Sequence, residues 1–205
     1  MRQRHIKQAT IEHMQTLGVL TEPTLLDFDQ SKKVHLEIGS GKGQFISRLA
    51  QDFKDDIFIA LEIDKDVCFR IAEKKSELKL DNLFILLTNA SNLDLWIKPH
   101  QIDIIYLNFS DPWPKARHHK RRLTFPTMLT LYEKILKSDG ILQLRTDHLG
   151  LFEDSKDYLE NHFDIFEVNM NLNESPYMTE YEEKKRKIGQ IYQLKGRIHH
   201  DQKNL

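Results

Sequence analysis

From residue 34 onward, short apolar runs and amphipathic stretches alternate almost without interruption, and this alternation limits the fold more than any other feature. VHLEIG (34–39), IFIALEID (57–64), LFILLTNA (83–90) and DIIYLNFS (103–110) read as strands, followed by ILQLRTDH (141–148), FDIFEVNMN (163–171) and QIYQLKGRI (190–198). Between them, GQFISRLAQDF carries Phe45, Leu49 and Phe53 at helical spacing, and DVCFRIAEKKSELKL, TFPTMLTLYEKILKSDG and LFEDSKDYLENH have helical character. Gly140 is the expected stop of the third of these. Strands alternating with helices predict a mostly parallel α/β sheet with helices on both faces. The first strands are near-continuous apolar runs, as doubly covered strands require. Seven strands are expected. The last two lack a helix-sized connection, so the final strand is predicted to run antiparallel at the edge. Residues 1–30 show weak periodicity and are expected to form a variable N-terminal extension to a domain spanning 31–205.

The chain of 205 residues suffices for one substantial domain. Its 40 % hydrophobic and 30 % charged residues describe a soluble globular protein. No run reaches the roughly 18 apolar residues of a membrane span, and the first residues lack the apolar core of a secretory signal. A single cysteine, Cys68, excludes an internal disulfide framework, fits a cytoplasmic protein and reads as a buried thiol. The formal net charge is −1, so a nucleic-acid contact has to come from a local patch.

In open α/β sheets ligands sit beyond the carboxyl ends of the strands. The first such loop reads Glu37-Ile38-Gly39-Ser40-Gly41-Lys42-Gly43. A P-loop needs Gly five residues before its Gly-Lys and Ser or Thr after it; here Leu36 and Gly43 stand there. A dinucleotide fingerprint needs a third glycine where Gln44 stands. What remains is a glycine loop with polar residues at successive strand ends. Glu62 lies about 20 residues on, where an acid accepts from ribose hydroxyls. Asn89 is positioned for an adenine edge, and Asp111 follows the fourth strand. Glu37, Gly39, Gly41, Glu62, Asn89 and Asp111 thus outline one pocket whose carboxylates disfavour pyrophosphate and suit a cationic ligand such as S-adenosylmethionine. The bland alternatives are a tight strand–helix turn and helix N-caps; Asp64 reads as such a cap.

NFSDPWPKARHHKRRL (108–123) is the most unusual stretch. Pro112 and Pro114 stiffen the corner that carries Asp111, and Trp113 either plugs this corner or stacks. The five Lys and Arg residues from Lys115 to Arg122, with two His and no acid, suggest a phosphate-backbone partner, against the alternative of a solvated charge run. His118 and His119 have no companion cluster of metal-ligand spacing, so no metal is expected. Asp147 ends the fifth strand on the same rim. Thr179, Tyr181 and Glu182 lie in MTEYEEK, where Thr179 and Glu182 can equally form a capping box.

Taken together, LEIGSGKG, LEID, TNA, FSDPWPKARHHKRRL, RTDH and TEYEEK resemble, in the same order, the motifs of the bacterial tRNA (guanine-N7)-methyltransferase family. The resemblance covers residues 34 to about 195. It implies a Rossmann-like class I methyltransferase fold that uses S-adenosylmethionine, releases S-adenosylhomocysteine and methylates a variable-loop guanosine of tRNA. It implies cofactor contacts at Glu37, Glu62, Asn89 and Asp111, with Asp111 also the catalytic residue. Lys115, Asp147, Thr179, Tyr181 and Glu182 match substrate-contacting positions, and Arg117, His118, His119, Lys120, Arg121 and Arg122 match an RNA-contacting loop. The expected partner is tRNA rather than DNA or a membrane, with the enzyme a monomer or homodimer. The alternatives are a methyltransferase of an exocyclic base amine, an RNA-binding module without catalysis, and a nicotinamide oxidoreductase, the last disfavoured by Gln44.

Overall fold

The structure is a computed structural model and describes residues 5–199. In chain order its elements are α1 (Ile11–Thr16), β1 (Val19–Leu20), β2 (Val34–Ile38), α2 (Gln44–Asp52), β3 (Ile57–Glu62), α3 (Lys65–Leu78) and β4 (Leu83–Leu87). A 3-10 turn (Ala90–Leu95), β5 (Ile102–Asn108), a second 3-10 turn (Ala116–Arg121), α4 (Pro126–Ile135) and β6 (Leu136–Thr146) follow. The chain continues through α5 (Leu149–Leu159), β7 (Phe163–Asn169), α6 (Glu180–Lys185) and β8 (Tyr192–Ile198).

The strands form one Rossmann-like sheet in the order β1-β4-β3-β2-β5-β6-β8-β7. All pairs from β1 to β6 are parallel, and β8 runs antiparallel to both β6 and β7. Alternate residues of β3 feed opposite faces. Ile57, Ile59 and Leu61 join a core with Trp96, Tyr132 and Phe163, whereas Phe58 and Ala60 join one with Phe45, Cys68 and Ile71. Period-two side chains on a sheet covered on both faces produce this division. The chain leaves β2 toward β3 on one side and later returns to β5 on the other, so the switch point lies between β2 and β5.

Three expectations require correction. The sheet has eight strands, because Val19 and Leu20 pair with Ile85 and Leu86 of β4. Two residues are too few to display a period. The last strand is antiparallel as expected but does not lie at the edge; it inserts between β6 and β7, and β7 is the edge. The helix before β6 ends at Ile135, not Gly140, because the chain from Leu136 onward already pairs with β5 at Ile102. Asp64 is an N-cap as predicted, accepting from the Val67 amide at 3.0 Å, and Cys68 is buried. Among the described residues no helix is long and apolar enough to cross a membrane.

The N-terminal segment is packed against the domain rather than beside it. Met14 is fully buried in the same core as Phe45 and Phe69, and Asp66 accepts from the Ile6 amide at 3.0 Å. Met14→Ala is therefore expected to lower the stability of the whole domain by about 2–4 kcal/mol, in a single urea transition. A separate low-stability transition, or no change in midpoint, would mean that this segment is not part of the cooperative unit.

Candidate active site

Gly39, Gly41 and Gly43 all have positive φ, at 74°, 55° and 73°. A Cβ on Gly43 would stand 2.9 Å from Cγ2 of Ile71, so only glycine lets α3 approach the loop this closely. Glu62 clasps the loop from the next strand. Its Oε2 accepts from the Gly41 amide at 2.9 Å, and its Oε1 accepts from the Ile63 and Asp64 amides at 2.9 and 3.0 Å. Burial pushes its carboxyl above the ordinary range, against these three hydrogen bonds.

The loop forms one wall of a cleft of about 450 Å³ at the switch point, and Glu62, Asn89, Asp111, Trp113 and Arg121 are among its lining residues. Asn89 caps the 3-10 turn through Oδ1, which accepts from the Ser91 amide at 2.9 Å. Its amide nitrogen makes no hydrogen bond among the described residues. Asp111 is exposed at the mouth and likewise has no hydrogen-bond partner among them. The sequence-predicted cofactor residues therefore converge, with one qualification of place. Glu37 lies fully buried beneath the loop rather than on the cleft surface. Its Oε1 accepts from Asn108 Nδ2 at 2.8 Å, while Oε2 has no partner among the described residues. Burial pushes this carboxyl up to about 8.

Gln44, the departure from the dinucleotide pattern, has a use of its own. Its Nε2 donates to the Met178 carbonyl at 3.1 Å and to Glu183 Oε1 at 2.7 Å. It thus ties the start of α2 to the strap of residues 172–189 that crosses this end of the sheet.

The Asp-Pro-Trp-Pro corner is strained. Trp113, immediately before Pro114, has φ of 39°, and Phe109, two residues before Asp111, has φ of 54°; a bulky residue in this region costs on the order of 1–3 kcal/mol, and at Trp113 the following proline narrows the choice further. Arg122 secures the corner from beneath. It is only 2 % exposed; its Nε donates to the Pro112 carbonyl at 2.8 Å, Nη1 to Asp154 at 2.6 Å and Nη2 to His119 Nε2 at 2.9 Å. Arg122 was expected at RNA; the structure buries it as the internal frame of the loop instead, with the half-buried His119 as one of its partners. A planar guanidinium with five donors suits carbonyls in a corner whose prolines cannot donate. The exposed cations are Lys115, Arg117, Lys120 and Arg121, with His118 half-buried. Arg121 lies 4.9 Å over the Trp113 ring, and His118 meets that ring edge-on at 5.8 Å. Trp113 both lines the cleft and supports a cation.

Next to the cleft, Tyr181 packs on the lining residue Phe109 with ring centroids 5.2 Å apart. Lys185 Nζ lies 5.1 Å over the Tyr181 ring and 2.8 Å from Asp147 Oδ2. The Asp147 carboxylate holds the Lys185 ammonium well above its usual range. Thr179 caps α6, its Oγ1 accepting from the Glu182 amide at 3.0 Å. Glu182, expected at substrate, is 0 % exposed and faces inward, where Arg145 approaches Oε2 at 3.3 Å and Arg186 donates to Oε1. Its carboxylate therefore anchors the strap. Lys185 and Arg145 are not among the sequence-predicted site residues, and Gln44 enters there only as the departure from the dinucleotide pattern; of the three, Lys185 alone carries a local signal, its i,i+4 spacing from Tyr181.

The orphaned, raised Glu37 predicts a pH dependence. Between the ordinary glutamate value and about 8 the native state holds a proton that the unfolded chain has released, so stability falls as pH rises through this window. Glu37→Gln retains an acceptor for Asn108 and removes the titration. Between pH 5.5 and 8 the variant should gain on the wild type by up to roughly 3 kcal/mol in urea melts. Parallel pH profiles would exclude a protonated Glu37.

Comparison with known proteins agrees with this arrangement. Residues 31–194 match a family model described as putative methyltransferase. A tRNA (guanine-N(7)-)-methyltransferase from Staphylococcus haemolyticus is 42 % identical over 178 residues, which cover 84 % of this chain and 83 % of the relative. An antibiotic-related methyltransferase structure superposes with a TM-score of 0.65 at 19 % identity, covering 88 % of this chain and 100 % of that one. A SAM-dependent methyltransferase from Aquifex aeolicus gives 0.61 at 12 % identity, covering 82 % and 84 %. These two structures bear on the fold alone. Extent and identity of the sequence matches make the chain a member of the bacterial tRNA (guanine-N7)-methyltransferase family, and so a methyltransferase.

Proposed function

We propose that the protein transfers a methyl group from S-adenosylmethionine to N7 of a variable-loop guanosine in tRNA. The observation that carries this reading is the cleft at the switch point, with the Glu62-clasped glycine loop on one wall and Asp111, beside an exposed cationic loop, at its mouth. The cleft suits a cationic adenosyl cofactor. Glu62 and the Asn89 amide both line the cleft, and we assign them to ribose and adenine. When bound, S-adenosylmethionine supplies a methyl group on a positively charged sulfur.

Guanine N7 carries a free lone pair, so the protein need not remove a proton before transfer. Its task is alignment, worth up to roughly 7–11 kcal/mol in favourable systems, and stabilisation of the positive charge that arrives on the purine. Asp111, which has no hydrogen-bond partner among the described residues and sits on a stiff corner, is our candidate for both. Lys115, Arg117, Lys120 and Arg121 flank it and would hold the phosphates beside the target, while the base is splayed from its stack.

Incubating unmodified tRNA with labelled S-adenosylmethionine and identifying the product nucleoside tests the assignment. 7-Methylguanosine is expected, and a methylated exocyclic amine would overturn it. Asp111→Ala should lower kcat by about 10²–10³-fold, with Asp111→Asn intermediate because it keeps shape and one acceptor; a wild-type rate in either variant removes Asp111 from the chemistry.

The cationic loop is tested separately. Neutralising Arg117, Lys120 and Arg121 together should weaken tRNA binding and reduce its log–log salt slope, by about 0.9 for each lost phosphate contact. S-adenosylmethionine affinity should change little. An unchanged slope would mean that these residues are only solvated charge.

A further inference from the structure

Beside Phe109 of the cleft, beyond the Tyr181 ring, one donor is set next to one acceptor, and this pair has the pattern of a particular base edge. Asp147 follows β6, whose neighbour β5 leads to Asp111. Lys185 Nζ lies 2.8 Å from Asp147 Oδ2, and the two side chains are 31 % and 23 % exposed. Oδ1 of Asp147 makes no contact of this kind among the described residues. An ammonium has three donor hydrogens, and Asp147 and the Tyr181 ring engage two of them at most. The half-exposed Tyr181 ring, supported by Phe109, offers a flat surface beside the pair.

Guanine carries O6, an acceptor, next to N1–H and the N2 amine, both donors. Adenine reverses this, with an amine at position 6 and a lone pair at N1. A carboxylate beside an ammonium therefore matches guanine and sets donor against donor and acceptor against acceptor for adenine. We infer that Lys185 is a specificity-determining residue, donating to guanine O6 while Asp147 accepts from N1–H and the N2 amine. The inference rests on guanine N7 being the methyl acceptor, as proposed above. O6 is the neighbour of N7, so a grip there also aims the attacking lone pair. The arriving positive charge is tolerated because the Asp147–Lys185 pair is neutral overall; a lone ammonium on O6 would oppose it.

The test uses ligated tRNA carrying guanosine, inosine or 6-thioguanosine at the target position. Inosine lacks the N2 amine, and 6-thioguanosine replaces O6 by a weakly accepting sulfur. Single-turnover methyl transfer is measured for the wild type, Lys185→Met and Lys185→Arg, with thermal melting to establish that the variants fold. Lys185→Met should slow transfer to guanosine by about 10- to 100-fold and to inosine by the same factor. On 6-thioguanosine the loss should shrink to within about threefold, because the wild type already lacks the contact there. Lys185→Arg, which keeps a charged donor, should restore most of the rate. Equal losses on all three bases, or a wild type that does not prefer guanosine to 6-thioguanosine, would overturn the role of Lys185, and the second result needs no variant. A wild type that methylates none of the three tRNAs, or methylates an atom other than N7, would overturn the reaction assignment itself.

Discussion

The strap of residues 172–189 depends on one buried guanidinium. Arg145, near the end of β6, donates through Nε to Gln193 of β8 at 2.8 Å and through Nη1 to the Tyr177 carbonyl at 2.9 Å, and it faces Glu182 at 3.3 Å. Its plane lies 5.6 Å from the Phe45 ring at the start of α2, and its own carbonyl accepts from the Phe109 amide at 2.8 Å. One residue thus joins the antiparallel strand, the strap, the first helix of the cofactor side and the Asp111 corner. Arginine suits this position because its fork serves several acceptors at once and is never deprotonated. Glu182 is in turn gripped by Arg186, which also donates to the Leu172 and Asn173 carbonyls and so closes the strap on itself. Leaving such a buried charge without its partner costs about 3–5 kcal/mol, far more than the intact pair contributes. The network therefore acts chiefly as a specifier of geometry. It fixes where Tyr181 and Lys185 stand relative to Asp147.

The second constraint is the strained corner at Trp113. A positive φ between two prolines is held only because the surroundings over-determine it. Arg122 beneath, bonded to the Pro112 carbonyl and to Asp154 of α5, provides that support. The same residue shows why a run of basic residues should not be treated as one patch. Arg121 and Arg122 are adjacent, yet one lies across the cleft-lining Trp113 and the other is sealed inside the loop. Charge composition alone could not separate them. The separation follows from the carbonyls that the prolines leave to be satisfied.

This contrast explains what was legible in the sequence. The parallel core, the glycine loop and the strand-end polar residues were readable because each is local: a period, a breaker or a residue type at a strand end decides it. Glu62, Asn89 and Asp111 line the cleft for that reason. Val19–Leu20 was not readable, because a two-residue strand exists only through its pairing with β4. The position of β8 inside the sheet was not readable either, since antiparallel insertion is decided by long-range ladder contacts rather than by any pattern within QIYQLKGRI. The inward turn of Glu182 has a related cause. Its spacing from Thr179 is that of a capping box, and the cap does form through Thr179, but the carboxylate turns inward to two arginines that lie 37 residues before it and four after it.

The two halves of the site consequently differ in how they are built. The cleft is lined largely from loops that directly follow β2, β3, β4 and β5, so its geometry is set by the sheet itself. The strap beside it takes its position from side-chain contacts with α2, β6 and β8. Gln44 and Arg48 reach Met178, Glu183 and Pro176 from α2, and Lys42 of the glycine loop reaches Glu180 at 3.1 Å. The glycine loop and the start of α2 are therefore tied to the strap at this end of the sheet by side-chain contacts rather than by the ladder.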